Sequence, residues 1–498
     1  MPYLFLIFLG IITYLIIKVS VTRITRTPVI LLWVVMMTPA LTWATWMLIN
    51  GQDSTVPWQV IVVPFLICPI LYWLLIQWGR TPTPNKLEKS NLQSSSDSEE
   101  IEDSEEKQPQ LRPITPKEEK LLRNCFPWEV YYLQNLDYRP QAILCRGKLR
   151  TNPDVAYDTI DSNVKGKFGD RFFVIFQEGL QDQPFFALVP NPRFQSTTTN
   201  DRERESDTPR QIGFALGFLL ITILISTLIG IEIAIYPVEE LSFEPQVLQQ
   251  GLVYSLALLG IFSARELSHY LMAVHYKIRT TLPYFIPVPF FPGTIGAFIQ
   301  KRSPIPNRKV LFDIAVSGPI AGLIVSIPIL IWGLSLSETV EIAENSRLLS
   351  LEALNPRFSI FLALLSKFAL GNQLTAETAI DLHPLAVAGY VGLGLTTLNL
   401  IPIGQLDGGQ IIHAVFGKRT AIAIAQIARL FMFILVWIQP DFWVLAIMML
   451  FMPIIDEPAL NDVSQLDNGR DLLGLLSLGI LLMVILPAPN VMVQWLNL

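Results

Sequence analysis

The sequence predicts a polytopic α-helical membrane protein that carries one small α+β domain in solution. Three observations lead there. Of 498 residues, 51% are hydrophobic and 16% charged, where a soluble domain carries roughly a quarter charged residues. Apolar runs close to the ~20 residues that cross a bilayer as helix recur along the chain. One interval, residues 113–200, breaks that pattern with mixed charge and aromatic side chains able to build a core. The apolar runs predict about eight or nine transmembrane helices.

Charge and cysteines narrow the function classes. The formal net charge is −6 and no basic run is interleaved with aromatics, which argues against a nucleic-acid partner. Cys68, Cys125 and Cys145 form no C-x-x-C pattern, so neither a disulfide framework nor a cysteine zinc site is expected.

Residues 2–17 are the first apolar run. No basic residue precedes it and no small-residue cleavage site follows, so it is expected to remain as a membrane anchor. Lys18, Arg23 and Arg26 follow it and set that loop on the cytoplasmic or stromal side. Runs at 28–49 and 59–78 complete a three-helix anchor over residues 1–80. Residues 81–112 turn to Pro, Ser and acid, including Glu99, Glu100, Glu102 and Asp103. Such a composition cannot bury enough surface to order itself, so it reads as a disordered acidic linker.

Within 113–200, Thr115-Pro116-Lys117-Glu118 reads as a helix start with a capping threonine, proline at the first helical position and a capping-box glutamate. The runs 171–176 and 184–189 read as strands around the turn signal Glu178-Gly179. This small α+β domain is expected on the inner face, as a docking or regulatory module.

Residues 210–418 form the predicted membrane core. Spans at 212–236 and 251–274 flank a loop with Glu239, Glu240 and Glu244; His275, Lys277 and Arg279 mark the inner end of the second. Residues 282–300 are apolar but too rich in proline for a helix. Irregular backbone at membrane depth must be buried in protein or line a watery cavity, so a re-entrant loop or hairpin is expected. Residues 310–334 cross outward, the short run 358–370 lies at the interface, and 384–403 return inward. The C-terminal part, 419–498, supplies spans at 420–438, 442–455 and 472–486 around an inner polar loop, 456–471.

Two polar sites fall near the inner ends of different spans. One is Arg265-Glu266-Leu267-Ser268-His269, a single residue from H-E-x-x-H. That motif presents two imidazoles on one helix face to one zinc, with a carboxylate beside the metal's water. The other is Asn399-Leu400-Ile401-Pro402-Ile403-Gly404-Gln405-Leu406-Asp407-Gly408-Gly409. Alone, the first could be an ion pair at a helix end and the second an ordinary turn. Ionisable residues in a membrane are costly unless paired or solvated, and two such sites at one depth favour a functional constellation. Asp407 could supply a metal ligand and Asn399 an oxyanion or substrate contact, with Pro402 breaking the helix between them.

In this order, and with Gly318-Pro319-Ile320-Ala321-Gly322 between them, these residues resemble the site-2 protease family of intramembrane zinc metalloproteases. The family combines H-E-x-x-H, G-P-x-A-G and N-x-x-P-x-x-x-x-D-G on three transmembrane helices. Residues 139–142, 283–287 and 456–462 look like its cyanobacterial and chloroplast branch, some plant members of which are regarded as protease-like proteins without the zinc motif. The resemblance implies an integral protein of a cyanobacterial plasma or thylakoid membrane or of a chloroplast membrane, Zn²⁺ as cofactor, and membrane-protein substrates or clients within the lipid bilayer. It implies His269 and Asp407 as metal ligands, Glu266 as general base and Asn399 as the substrate or oxyanion contact. Gly318 and Gly322 fit close helix packing.

Arg265 departs from the pattern. A guanidinium has five donors and no lone pair to give a metal. Ser268 replaces the glycine usual before the second histidine. His275, six residues from His269, is about 600° of helix rotation away; His383 lies near the outer end of its span, and His413 just beyond Asp407. A His269/Glu266/Asp407 set would sacrifice the base and favour harder metals than zinc. The expectation is that Arg265 takes the metal's electrostatic place, pairing with Asp407 and Glu266, so that the scaffold persists and proteolysis is reduced or lost. An active intramembrane metalloendopeptidase is the alternative, and a transporter or channel a distant third, since no inverted repeat is visible.

Overall fold

The computed structural model describes residues 27–50, 114–139, 142–179, 183–191, 208–235, 245–288, 291–341, 359–371, 378–438, 443–454 and 456–496, with isolated positions elsewhere, mostly between 10 and 78. The chain divides into two compact units, Met1–Lys107 and Gln108–Leu498. In the first, α1 (Val29–Asn50) contains no charged residue. Most of the first and third expected spans, and the acidic linker, lie outside the described residues.

The second unit begins with the α+β domain: α2 (Pro116–Arg123), β1 (Tyr131–Arg139), β2 (Ala142–Leu149), α3 (Pro153–Phe168), β3 (Phe172–Glu178) and β4 (Pro184–Pro190). The Thr115 side chain accepts from Glu118 N while Glu118 reaches back to Thr115 N, the predicted capping box. All neighbours in the sheet, of order β1-β2-β4-β3, are antiparallel. Leu122, Tyr131, Ile143, Ile160, Phe176 and Phe186 close its core. Phe176 stacks on Phe186 with ring centroids 4.0 Å apart, and Tyr131 meets the same ring edge-on. Each such buried ring contributes about 1.5–3 kcal/mol of transfer free energy.

Then follow α4 (Thr208–Ile235), α5 (Pro245–His275), β5 (Tyr284–Pro287), β6 (Thr294–Phe298), α6 (Arg308–Ser335), β7 (Glu338–Glu341), α7 (Ile360–Leu370), β8 (Thr378–Asp381), α8 (Pro384–Asn399), α9 (Asp407–Phe416), α10 (Lys418–Ile438), α11 (Trp443–Phe451), α12 (Asn468–Ile485) and α13 (Asn490–Leu496). Among the described residues, α4, α5, α6, α10 and α12 are long and apolar enough to cross a membrane. Large apolar side chains such as Leu430, Phe431 and Trp437 of α10 face outward, as lipid contact requires.

The proline-rich stretch forms an antiparallel hairpin, Tyr284 facing Phe298 and Pro287 facing Thr294. Tyr254 Oη donates to Pro292 O at 2.9 Å and ties the hairpin tip to α5. Two expectations need correction. Among the described residues of the run 442–455 the helix is the nine-residue α11, about 14 Å long and short of a full span. The span placed at 384–403 ends as helix at Asn399; Pro402 lacks the N–H that would continue it, and after a turn α9 starts anew at Asp407.

Candidate intramembrane site

Helices α5, α6, α8 and α9 build the site. Helix α6 packs along both α5 and α8, and α9 packs against α6. Gly318 makes the approach of α5 and α6 possible: a Cβ built there would stand 1.9 Å from His269 Nε2, so the imidazole lies directly on the glycine backbone. At the other wall, a Cβ on Gly408 would stand 1.8 Å from Leu400 O. The Asp-Gly-Gly turn therefore folds back on the end of α8 only because position 408 has no side chain.

Arg265 and Glu266 are 7% and 5% exposed. The Arg265 Nη2 donates to Asp407 Oδ2 at 2.6 Å, across 142 residues of sequence. Its Nη1 lies 3.1 Å from Glu266 Oε1. His269 Nε2 is 3.5 Å from the same Asp407 oxygen. Its Nδ1 is 2.8 Å from Ile314 O; a carbonyl only accepts, so Nδ1 carries the proton and Nε2 faces Asp407. Asp407 is the first residue of α9, where the helix dipole favours a carboxylate. Ser268 Oγ donates to Arg265 O within its own helix.

The structure thus brings four of the sequence-predicted residues together: Arg265, Glu266, His269 and Asp407. Asn399 takes no part in their hydrogen bonds. Its Nδ2 donates to Leu395 O at 2.8 Å, one turn back in α8. The other histidines are elsewhere engaged: His383 caps α8 by accepting from Leu385 N, His275 ends α5 beside Tyr276, and His413 pairs with Asp456 and Asp462.

The residues do not fit the zinc that the family resemblance implies. The 3.5 Å between His269 Nε2 and Asp407 Oδ2 suits two ligands of one tetrahedral ion, each about 2 Å from it. A third ligand is missing where Arg265 stands, and its guanidinium already takes the Asp407 oxygen. Among the described residues no group of three or more His, Cys, Asp or Glu could hold a metal ion.

The site is thus built from the helix carrying Arg265-Glu266-x-x-His269, a glycine-faced helix and a helix broken ahead of Asp407-Gly408-Gly409. Residues 253–438 match the model of peptidase family M50. The chain is 31% identical over 239 residues to "Probable zinc metalloprotease EGY1, chloroplastic" of Arabidopsis thaliana, covering 48% of this chain and 43% of that one. "Probable zinc metalloprotease EGY2, chloroplastic" of the same plant is 26% identical over 370 residues, 73% of this chain and 63% of the relative. "Probable zinc metalloprotease EGY3, chloroplastic" of Oryza sativa subsp. indica is 29% identical over 174 residues, 34% and 30% of the two chains. The chain spans less than two thirds of the length of each of these relatives. No solved structure matches.

Proposed function

We propose that this integral membrane protein is a site-2-protease-like homologue that binds transmembrane segments of client proteins and has reduced or lost zinc-dependent peptidase activity. The observation that carries this reading is the Arg265 guanidinium bound to Asp407 at 2.6 Å and next to Glu266 at 3.1 Å. The fixed cation stands between two buried carboxylates, bound to one and close to the other, where a metal would otherwise compensate them, and leaving a buried carboxylate unpaired is strongly destabilising. It also repels an incoming Zn²⁺ and occupies a carboxylate oxygen that would bind it.

The orientation of His269 favours a second reading, an active intramembrane endopeptidase. Its Nδ1–H donates to a backbone carbonyl while Nε2 faces Asp407, the posture of a metal-bound histidine with its supporting hydrogen bond. Cleavage of a single-span reporter separates the two. No product from the parent chain, and none from Glu266→Gln, is expected; product that disappears in Glu266→Gln would overturn the first reading. Metal analysis of purified protein adds a direct check. Zinc below stoichiometry is expected in the parent chain and a gain toward one ion per chain in Arg265→His, whereas stoichiometric zinc that Asp407→Ala abolishes would sink the proposal.

A further inference from the structure

Helix α9 holds a second buried ionic cluster beyond Asp407. His413, between one and two turns further along, is 1% exposed. Its Nδ1 lies 2.7 Å from Asp456 Oδ1. Its Nε2 lies 2.9 Å from Asp462 Oδ1, an ion-pair distance without good hydrogen-bond alignment. Both carboxylates are buried as well. A neutral imidazole carries one N–H, so only the imidazolium presents a proton to each carboxylate.

The segment that supplies the carboxylates, residues 456–464, joins three parts of the molecule. Phe176 N donates to Leu460 O at 2.6 Å and Asp462 N to Phe176 O at 2.9 Å, which adds the segment as a parallel bridge to the outer edge of β3. Leu460 N and Asn461 N donate to Ile305 O and Pro306 O, just before α6. Asn461 Nδ2 reaches Asp154 Oδ1 on α3 at 3.1 Å. His413 supplies the ionic contact between this segment and the helix that starts with Asp407, beside the packing of Ala459 in the same core as Ile411 and Ala414.

The charges around the imidazole come from several neighbouring elements. Arg308 of α6 donates to the His413 and Ala414 carbonyls at 3.3 and 2.9 Å and lies 3.8 Å from Glu178 at the end of β3. Lys418 of α10 lines the same small cavity as His413 and Asp456. Lys301 feels Asp456 and Glu457, and Asp471 of α12 acts on Arg308. These cations offset the carboxylate left over when one imidazolium meets two acids.

We propose that His413 is a proton-operated latch: as imidazolium it holds residues 456–464, and with them the α+β domain, against the helix bearing Asp407, and loss of its proton frees the segment. Burial alone would push the imidazole's pKa down, but Asp456 and Asp462 outweigh it and raise the value to about 9, above the ~6.5 of a free histidine. Because the folded value is the higher one, the latch is at full strength below pH ~6.5 and is lost as the pH rises through about 9.

Pulsed amide hydrogen exchange on the full-length protein in lipid nanodiscs tests this, with rates corrected for intrinsic base catalysis. Protection at Phe176, Leu460, Asn461 and Asp462 is expected to fall by up to roughly 300-fold between pH ~6.5 and ~10, because each pH unit between the free and the folded imidazole's pKa is a factor of about ten. Ile143 and Val174 in the domain core are expected to stay protected. In His413→Gln the same four amides are expected to be weakly protected at pH 7 and insensitive to pH. Asp462→Asn, which leaves one acid, is expected to move the midpoint to lower pH. Flat protection in the parent chain, unchanged protection in His413→Gln, or simultaneous loss at Ile143 and Val174 each overturns the latch. If His413→Gln does not fold, the parent titration and Asp462→Asn decide.

Discussion

Helix α9 carries two buried ionic clusters, one at its start and one further along, whose carboxylates are paired with different cations. At its start, Asp407 meets Arg265, with Glu266 and His269 close by. Further along, His413 lies between Asp456 and Asp462. Both clusters place carboxylates in the interior and compensate them with positive charge, as burial demands. A guanidinium stays charged at any workable pH, so the first cluster is permanent. An imidazolium can give up its proton, here as the pH rises through about 9, so the second is conditional. The same helix thus has one end fixed where a metal site would be and another end able to let go.

The largest effect should come from breaking the permanent cluster. Asp407→Ala leaves the Arg265 charge buried beside Glu266 alone and is expected to cost about 3–5 kcal/mol, read as a lower Tm in micelles. Replacing both partners together, Arg265→Met with Asp407→Leu, should recover most of that loss, because an apolar pair needs no compensation. A single variant as stable as the parent would mean that the carboxylate is solvated and the contrast between the clusters unfounded.

The conditional cluster should respond next, and differently. His413→Gln is expected to lose on the order of 3 kcal/mol at pH ~6, since each pH unit between the free and the folded imidazole's pKa corresponds to about 1.4 kcal/mol. The difference from the parent should shrink as the pH rises through about 9, where the parent imidazole also loses its charge. Asp407→Ala should show no such convergence over the same range, so stability measured against pH separates the two ends. A parallel pH profile in both variants would remove the distinction.

Smaller effects probe the supports. Gly318→Ala forces a methyl group onto the His269 ring and should cost about 1–3 kcal/mol by overpacking, with the imidazole pushed off its line to Asp407. Thr115→Ala removes only the cap of α2 and should cost about 1 kcal/mol, confined to the α+β domain. A larger loss at Thr115 than at Gly318 would reverse the expected ranking.

Much of the fold is legible where the signal is local. The Thr115 box, the aromatic strands β3 and β4, and the long apolar helices α4, α5, α6, α10 and α12 all follow from spacing within a few residues. Strand β1 escapes a reading of the sequence, and its residues explain why. Only Tyr131 and Leu136 are buried along it, and a register shift between Leu133 and Asn135 resets the alternation that marks a strand. Helix α9 is hidden because Asp407-Gly408-Gly409 reads as a turn; the glycines instead allow the helix to start hard against Leu400 O and Gly404 O. The pairing of His413 with residues 456–462 is not legible in the sequence, since its first acid lies 43 residues away.

By itself the sequence determined the membrane class, the long apolar helices α4, α5, α6, α10 and α12 and the presence at position 265 of a side chain that cannot ligate a metal, because hydropathy and the lone pairs of a side chain are properties of the residues themselves. Only the tertiary structure decided what Arg265 and His413 do. Each needs a carboxylate brought from distant chain, Asp407 to Arg265 and Asp456 and Asp462 to His413. The packing of α5, α6 and α9, with residues 456–464 bridging to β3, is what sets those charges within hydrogen-bonding distance of one another.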